Sequence, residues 1–379
     1  MKSQVIHIYP IKQVIQQPTH QNSHQTRHIS KLQRKRVFVG MSGGVDSSVS
    51  AALLKQAGYD VTGVFIKVWQ PDWLECTWRE ERRDAMRVAA QLEIPFITLD
   101  LEKEYKKEVV DYMIAEYKVG RTPNPDVMCN AHVKFGAFYD WAMKQGANFV
   151  ATGHYAQIKK EVLFAGIDSN KDQSYFLWTL KKEQLPHIIF PIGHLTKPEV
   201  RELAKKLKLP TAEKKDSQGL CFIGMVDMKE FLSHYIETKE GNVMNEKAEV
   251  IGNHPGAMFF TIGERHGFTI TKKTSNDERY YVISKNIGAN TVTVSNKNVE
   301  GNLPQARTRV SLQEVNWNQG GAPIGKQLQA RSRYREQLQN ITLIDEKTVD
   351  FADPQNTISS GQSLVVYDGD ICLGGGVIV

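Results

Sequence analysis

The 379-residue sequence has only four cysteines, no long apolar run and no acidic residue among its first 45 residues. The cysteines, Cys76, Cys129, Cys221 and Cys372, are far apart and form no C-x-x-C pair. This spacing argues against a zinc knuckle or a disulfide scaffold and is typical of a reducing cytoplasm. No apolar run approaches the roughly 20 residues that a membrane-spanning helix needs. We therefore expect a cytoplasmic protein with no membrane partner and no resident metal site.

The acid-free segment at the N-terminus, residues 1–35, is rich in Gln, His and basic residues. This composition predicts a disordered basic extension. A targeting role is the alternative, although the segment lacks a clear amphipathic Arg/Leu helix. The net charge of +6 indicates nucleic-acid binding only if Lys and Arg cluster on one face. A lysine-rich solvated surface explains the same charge.

Strand-like and helix-like patterns alternate over residues 36–222, and the chain is long enough for two or three domains. The runs "RVFV", "DVTGVFIKVW" and "PFITLDL" predict buried strands, with apolar residues at helical spacing between them. Alternation of this kind predicts a parallel sheet covered by helices, with ligands at the carboxyl ends of the strands. From Ile251 onward, closely spaced short strands predict a small all-β domain that follows a mixed segment.

The first predicted strand ends in the glycine-rich stretch "VGMSGGVDSS", residues 39–48. Backbone N–H groups in such a loop cradle phosphate oxygens, and the following helix adds positive potential. The loop lacks the lysine of G-x-x-x-x-G-K-[ST]. It supplies hydroxyls and the Asp46 carboxylate instead, a set that suits pyrophosphate with Mg²⁺. On spacing alone, a Gly-Gly turn capped by Asp46 or Ser47 explains the pattern equally well.

Two cysteines lie in loops whose sequences are compatible with a reactive thiol. Cys129 follows "TPNPD", whose two prolines predict a stiff loop leading into a helix that starts near His132. A thiol near a helix N-terminus has a lowered pKa, and Asp126 could exchange a proton with a base or thiol. An inert buried cysteine and a capping aspartate are the alternative. Cys221 lies in "DSQGLCFIG", a loop suited to receiving and handing on sulfur. Transfer between two thiols ends in a disulfide that must be reduced.

The late segment "RSRYR", residues 331–335, alternates cations with an aromatic residue. As a strand it would place its three arginines on one face, toward phosphates, and Tyr334 on the other. A solvated edge strand protected by charge is the alternative. Cys76 and Cys372 belong to no motif, and we expect both to be structural.

Six motifs in order resemble those of the tRNA-specific 2-thiouridylase family, within the PP-loop ATP pyrophosphatases. They are S-G-G-V-D-S, T-P-N-P-D-x-x-C-N, A-T-G-H-Y-A, K-D-Q-S-Y-F-L, D-S-x-G-x-C-F-I-G and a late R-Y-R. The resemblance covers nearly all of the chain except the leader, and Gln218 and "DWLECTWREERRD" are small departures from it. It implies an α/β fold: a Rossmann-like parallel-sheet PP-loop domain (36–222), a small mixed central domain (223–288) and a C-terminal β-barrel that binds tRNA (289–379).

The resemblance also implies a role for each matching residue. The implied catalytic residues are Cys129, Cys221 and Asp126. The residues implied to contact the target base are Asn124, Pro125 and Asp126. ATP binding falls to Gly40, Met41, Ser42, Gly43, Gly44, Val45, Asp46, Ser47, Ile66 and Gly153. Contact with tRNA falls to His154, Lys171, Asp172, Gln173, Arg333, Tyr334 and Gln362. From the residues alone, Ile66 is equally a core strand residue and Gly153 equally a turn glycine.

The implied activity is that of a sulfurtransferase that uses ATP and Mg²⁺. ATP adenylates the 2-carbonyl oxygen of the wobble uridine, position 34, after that base is flipped into the site. Sulfur from a Cys221 persulfide then displaces AMP, either directly or as hydrosulfide freed by Cys129, to give 2-thiouridine. The implied partners are the anticodon arms of Lys, Glu and Gln tRNAs and a persulfide donor, a cysteine desulfurase or a relay protein.

Three alternatives remain open at this point. A PP-loop enzyme that joins an amine to an adenylated substrate, such as a tRNA lysidine synthetase or an amidotransferase-type ligase, would need neither Cys129 nor Cys221. A non-catalytic tRNA-binding protein would release no pyrophosphate in response to tRNA. An iron–sulfur cluster held by Asp126, Cys129 and Cys221 is also compatible with the residue types.

Overall fold

A computed structural model describes residues 35–74, 78–215, 227–272, 279–296, 306–356 and 358–379. The predicted extension, apart from Lys35, and the loop that carries Cys221 lie outside the described residues, as does Cys76. None of the helices in the described ranges is long and apolar enough to cross a membrane.

The strands and helices are numbered in chain order. The strands are β1 (Arg36–Gly40), β2 (Asp60–Lys67), β3 (Phe96–Asp100), β4 (Phe149–Ala151), β5 (Ala156–Lys159), β6 (Val162–Ala165), β7 (Ile188–Ile189), β8 (Gly241–Met244), β9 (Val250–His254), β10 (Thr269–Ile270), β11 (Tyr281–Asn286), β12 (Thr291–Ser295), β13 (Arg307–Trp317), β14 (Gln327–Arg331), β15 (Gln339–Leu343), β16 (Thr348–Gln355), β17 (Ser363–Asp368) and β18 (Ile371–Ile378). The α-helices are α1 (Val45–Gln56), α2 (Trp78–Gln91), α3 (Glu102–Tyr105), α4 (Tyr112–Lys118), α5 (Pro125–Met128), α6 (Tyr139–Lys144), α7 (Lys197–Lys206) and α8 (Met228–Ser233). Two π-helical segments, Lys106–Asp111 and Cys129–Phe138, join α3 to α4 and α5 to α6.

The N-terminal sheet is parallel, with the strand order β3-β2-β1-β4-β7. Its strands are rich in buried β-branched and aromatic residues because helices cover both faces. In β1, for example, Phe38 packs into one core cluster, whereas Val37 and Val39 pack into another. The predicted α/β parallel-sheet domain is therefore confirmed, and its ligand edge is expected where β1 and β4 end.

A second, mixed sheet has the strand order β10-β9-β8-β12-β11. β11 and β12 form an antiparallel hairpin, and β12 also pairs in parallel with β8. Both strands of the hairpin therefore belong to the central sheet. The last strand of this sheet, β12, ends at Ser295, and the domain boundary between residues 288 and 289 stays a prediction.

The C-terminal strands form a closed barrel in the order β13-β16-β15-β14-β17-β18, which the pairing of β18 with β13 completes. Glycines in β18 permit this closure. Gly374 has φ +129°, and a Cβ there would lie 2.0 Å from the Asn316 carbonyl oxygen. The hairpin β5–β6 of the N-terminal domain adds to the barrel sheet beside β18. The predicted barrel is confirmed, and it shares a sheet with the first domain.

Candidate active site at the carboxyl edge of the parallel sheet

The glycine loop connects the end of β1 to the start of α1. Gly43 has φ +75°, and a Cβ there would lie 2.3 Å from the Glu81 carbonyl oxygen of α2, so only glycine fits. Gly44 is the N-cap of α1, and no side chain of the described residues caps that helix. The Ser47 hydroxyl donates to the Gly44 carbonyl (3.2 Å) and accepts from the Ser42 N–H (3.3 Å). The loop thus has the shape of an anion site at a helix N-terminus.

The Asp46 carboxylate does not cap α1. It accepts a hydrogen bond from the Tyr155 hydroxyl (2.9 Å) and is paired with the Lys197 ammonium, whose Nζ lies 2.8 and 2.9 Å from its two oxygens. The capping interpretation of Asp46 is therefore wrong. Neither partner was predicted from the sequence, because Tyr155 is 109 and Lys197 is 151 residues away along the chain.

Two other predicted ATP contacts lie close to this loop. Gly153 follows β4 and packs against the first turn of α1, where a Cβ would lie 2.7 Å from the Ser47 nitrogen. Ile66 is 5% exposed in β2 and belongs to the core. Met41 and Val45 are also buried, so the loop offers a ligand chiefly backbone groups and the polar side chains of Ser42 and Asp46. The ATP contacts assigned to these residues stay predictions.

The helix that carries Cys129 begins earlier than predicted. Asn124 is its N-cap and accepts from the Val127 N–H (3.2 Å), and Pro125 occupies the first turn. The predicted start near His132 is wrong, because proline at the first helical position needs no N–H partner and its fixed φ suits a helix. Cys129 is fully buried. It lies three residues after Asp126, on the same side of the helix.

The cysteine helix meets the glycine loop at the carboxyl edge of the sheet. Phe138, on the same π-helical segment as Cys129, lies 3.5 Å from the position that a Cβ on Gly40 would take. Thr152, just after β4, lies 3.6 Å from that position. The fold therefore brings together the ends of β1 and β4 and the Phe138 end of the cysteine helix, at the edge where parallel sheets bind ligands.

The loop before Asn124 is held by both other domains. The Thr122 N–H donates to the Ser360 carbonyl (2.9 Å), and its carbonyl accepts from the Gln362 amide (2.8 Å). The Thr122 hydroxyl lies 3.2 Å from that of Thr261 in the central domain. Gly361, with φ +93°, approaches so closely that a Cβ would lie 2.9 Å from three backbone atoms of Thr122. The predicted target-base loop is thus positioned by the barrel.

The chain is similar to known proteins over most of its length. Family models match three consecutive parts of the chain: a "tRNA methyl transferase HUP domain" (residues 35–225), a "tRNA methyl transferase PRC-barrel domain" (229–296) and an "Aminomethyltransferase beta-barrel domain" (307–378). A "tRNA-specific 2-thiouridylase MnmA" of Lacticaseibacillus paracasei is 46% identical over 358 residues, 90% of this chain and 94% of the relative. One of Streptococcus sanguinis is 45% identical over 355 residues, 90% and 95% of the two chains.

The chain belongs to the tRNA-specific 2-thiouridylase family. Among solved structures, a U34-tRNA thiolase NcsA from Methanococcus maripaludis matches with 17% identity and a TM-score of 0.34, covering 54% of this chain and 65% of that one. That match is too weak to indicate a function. Membership of the family rests on the identity over almost the full length of the curated relatives.

The predicted tRNA contact "RSRYR" is not a strand. β14 ends at Arg331, and the chain then turns, because the Glu336 carboxylate accepts from the N–H groups of Ser332 (2.9 Å) and Arg333 (3.0 Å). The prediction of three arginines on one face is wrong. Arg331 is buried, Arg333 donates to the Ile262 carbonyl (2.5 Å), and Arg335 is exposed.

Tyr175 contacts both Tyr334 and Asn124. Tyr334 packs on Phe176 with ring centroids 4.7 Å apart, and Tyr175 lies 6.4 Å from Tyr334. The buried Tyr175 hydroxyl lies 2.8 Å from the Ser332 carbonyl and is hydrogen-bonded by the Asn124 side chain. Burial raises the pKa of Tyr175 above its usual value, so the phenol stays protonated. These contacts join the target-base loop to the barrel turn.

The motif residues Lys171, Asp172 and Gln173 lie beside the same junction. Lys171 is half-buried, and the Gln173 side chain accepts from the Tyr155 N–H (3.0 Å). Asp172 forms a buried ion pair with Arg331, with Arg331 Nη2 2.6 Å from Asp172 Oδ2. The tRNA contacts of these residues stay predictions, but in this structure Asp172 links two domains.

His154 follows Gly153 and is 6% exposed, between the rings of Phe135 and Phe190. Its Nδ1 lies 2.6 Å from the Thr152 hydroxyl oxygen. Burial, and secondarily the charge of Lys134, hold the pKa of His154 well below its usual value. The imidazole is therefore neutral at physiological pH, and its predicted contact with tRNA would be that of a neutral group.

The described ranges contain no group of three or more His, Cys, Asp or Glu side chains placed to hold a metal ion. The cluster considered above includes Cys221, which lies outside them. Cys372 is fully buried in the barrel, where burial raises the pKa of its thiol to about 12. A thiol with that pKa is almost entirely protonated at neutral pH, as expected for the structural role predicted from the sequence.

Proposed function

We propose that this protein is an ATP-dependent tRNA-uridine 2-sulfurtransferase that makes 2-thiouridine at the wobble position of tRNA. The observation that carries the proposal is the meeting of two features at the carboxyl edge of one sheet. One is the uncapped glycine loop before α1, and the other is the helical segment that carries Asp126 and Cys129 and packs through Phe138 against Gly40. An amine-joining enzyme of the same fold would need the first feature and not the second.

The glycine loop would bind ATP through its backbone N–H groups and the N-terminus of α1. The uridine O2 attacks the α-phosphate, which forms an O–P bond and releases pyrophosphate. The residues present fit Mg²⁺ as well, since this ion is commonly bound by one carboxylate together with substrate phosphates and water. Asp46, with its side chain 32% exposed, would hold it. Mg²⁺ supplies charge neutralisation at the phosphates when bound.

The thiol chemistry would follow at the cysteine helix. A donor protein, a cysteine desulfurase or a relay, loads Cys221 as a persulfide. Its terminal sulfur attacks C2 of the adenylated uridine, and AMP leaves. The Cys129 thiolate attacks the inner sulfur, which leaves a Cys129–Cys221 disulfide that an external thiol must reduce. Asp126, three residues before Cys129 on the same helix face, would accept the proton of that thiol.

The tRNA would lie across the three domains that meet at Thr122, with uridine 34 at Asn124, Pro125 and Asp126. Arg333, Tyr334 and Gln362 would guide the anticodon arm, and Gln362 also holds the target-base loop at Thr122. The tRNAs for Lys, Glu and Gln are the proposed substrates, and the cytoplasm is the proposed location.

Mass spectrometry of nucleosides tests the proposal. Purified protein is incubated with unmodified tRNA, ATP, Mg²⁺, a persulfide source and a thiol reductant. We expect 2-thiouridine from the wild type, none from Cys129→Ser or Cys221→Ser, and normal yield from the control Cys372→Ala, which removes a buried barrel thiol. Full thiolation by both active-site variants would refute the cysteine roles. Pyrophosphate release with tRNA but no thiolated product from the wild type would refute sulfur transfer and retain adenylation.

A further inference from the structure

The glycine loop contains no lysine, but the fold places Lys197 of α7 beside it. Lys197 Nζ lies within hydrogen-bonding distance of both carboxylate oxygens of Asp46, at 2.8 and 2.9 Å. Asp46 lies in the first turn of α1, directly after the loop. The Lys197 side chain is only 12% exposed, so the ammonium is held beside the loop rather than in solvent.

The position of Lys197 in its own helix is unfavourable for a cation. It is the first residue of α7, after the N-cap Thr196, and the capping box with Glu199 fixes that helix start. The positive end of a helix dipole favours acidic side chains and disfavours a lysine. The Lys197 N–H is fixed separately by the Asp168 carboxylate (2.9 Å). The Lys197 ammonium pairs with a carboxylate outside α7, that of Asp46.

The surroundings of the ion pair suit an anionic ligand. Both partners lie in the first turn of a helix, Asp46 in α1 and Lys197 in α7, and each helix N-terminus contributes a partial positive charge. Tyr155 supports the pair, since its hydroxyl donates to Asp46 (2.9 Å) and its ring centroid lies 5.8 Å from Lys197 Nζ. Asp46 pairs with the Lys197 ammonium, whereas the Asp168 and Glu199 carboxylates accept from backbone N–H groups at the start of α7.

We propose that Lys197 is the phosphate-contacting cation of this site, an assignment that rests on the proposed use of ATP. In the ATP-free protein, Asp46 neutralises Lys197. When ATP binds with Mg²⁺, Asp46 is the residue that would hold the metal, and the Lys197 ammonium passes to an oxygen of the β- or γ-phosphate. Negative charge grows on the leaving pyrophosphate during adenylation, and a lysine there stabilises it. The cation therefore comes from a helix far along the chain instead of from the loop.

Nucleotide binding by the full-length chain tests this assignment. Affinities for ATP and for AMP are measured by calorimetry with Mg²⁺ for the wild type, Lys197→Met, Lys197→Arg and a control, Lys205→Met. Lys205 lies on the same helix and is exposed. We expect Lys197→Met to weaken ATP binding roughly 10- to 100-fold, the range for a hydrogen bond to a charged group, and to leave AMP binding unchanged. Lys197→Arg should recover part of the loss, and Lys205→Met should match the wild type.

Two results would overturn the assignment. Equal weakening of ATP and AMP binding in Lys197→Met overturns it, because that result shows misfolding or a purely structural role for Lys197 between α1 and α7. Wild-type ATP affinity in Lys197→Met shows no phosphate contact. Failure of the proposed function gives a different result. If the wild type binds ATP but forms no 2-thiouridine, sulfur transfer is refuted. If the wild type thiolates tRNA and Lys197→Met binds ATP normally, only the role of Lys197 is refuted.

Discussion

The buried ion pair between Asp172 and Arg331 is predicted to be a main attachment of the barrel to the catalytic domain. The two side chains are 7% and 10% exposed, and Arg331 Nη2 lies 2.6 Å from Asp172 Oδ2 and 2.9 Å from the Tyr367 hydroxyl. The other carboxylate oxygen, Oδ1, accepts from the N–H groups of Gly166 (2.9 Å) and Ser174 (3.0 Å). Replacing Asp172 by Asn keeps the shape of the group and changes its charge and one acceptor.

The expected cost follows from these contacts. In Asp172→Asn, the amide oxygen can keep the two backbone hydrogen bonds, so the amide nitrogen then faces the Arg331 guanidinium, and two donors meet. Breaking a buried pair by removal of one charge costs about 3–5 kcal/mol. Arg331 keeps the Tyr367 hydroxyl and lies over the rings of Tyr175 and Tyr367, so we expect about 3 kcal/mol, the lower end of that range.

Urea unfolding, followed together with hydrogen exchange of the amides in β14 and β17, measures this cost. The matched control is Asp350→Asn, which breaks the exposed barrel pair between Asp350 and Arg309, also 2.6 Å apart. Exposed pairs contribute about 0–1 kcal/mol. The double variant Asp172→Asn/Arg331→Met should lose less than the sum of the two single variants, since it leaves no buried charge. A loss in Asp172→Asn no larger than in Asp350→Asn would refute the reasoning.

Two other predictions concern the catalytic edge. Gly153→Ala should abolish nucleotide binding or lower the melting temperature by several degrees, because the new Cβ would lie 2.7 Å from the Ser47 nitrogen. Unchanged ATP affinity and melting temperature in this variant would contradict the prediction and show that α1 can shift to accept the Cβ. His154→Gln should flatten the pH dependence of stability below about pH 6.5. Since the pKa of buried His154 is lowered, the unfolded chain binds the proton first, so the wild type loses stability as pH falls, by up to about 1.4 kcal/mol per pH unit for this group. Urea titrations at several pH values measure it, and equal slopes for both proteins would contradict the prediction.

Local sequence signals predicted most of the architecture. The period of the apolar residues predicted the parallel sheet, since buried strands between helices have a continuous apolar character. The spacing of short strands predicted the β domain at the end of the chain. The start of the cysteine helix was also available from the sequence, because Asn124 followed by Pro125 is an N-cap with proline at the first helical position. The stiff-loop interpretation overlooked that signal.

The segment "RSRYR" shows where a local pattern fails. Alternation of charge and aromatic residues predicted a strand, but long-range contacts decide the conformation. Arg331 is drawn into the interior by Asp172, which lies 159 residues earlier, and Glu336 holds the turn that follows. Strand preference depends on neighbours across the sheet and between domains, and these are not visible in a window of five residues.

The sequence by itself determined the class of fold, the glycine loop, the two cysteine motifs and the family. Each of these depends on residues close together in the chain, whose geometry follows from turn, helix and strand preferences. Only the tertiary structure decided the partners of those residues: Lys197 and Tyr155 at Asp46, Arg331 at Asp172, and Gln362 and Thr261 at Thr122. The physical reason is that charge pairing and hydrogen bonding act over a few ångströms in space, whereas these partners are separated by more than a hundred residues along the chain.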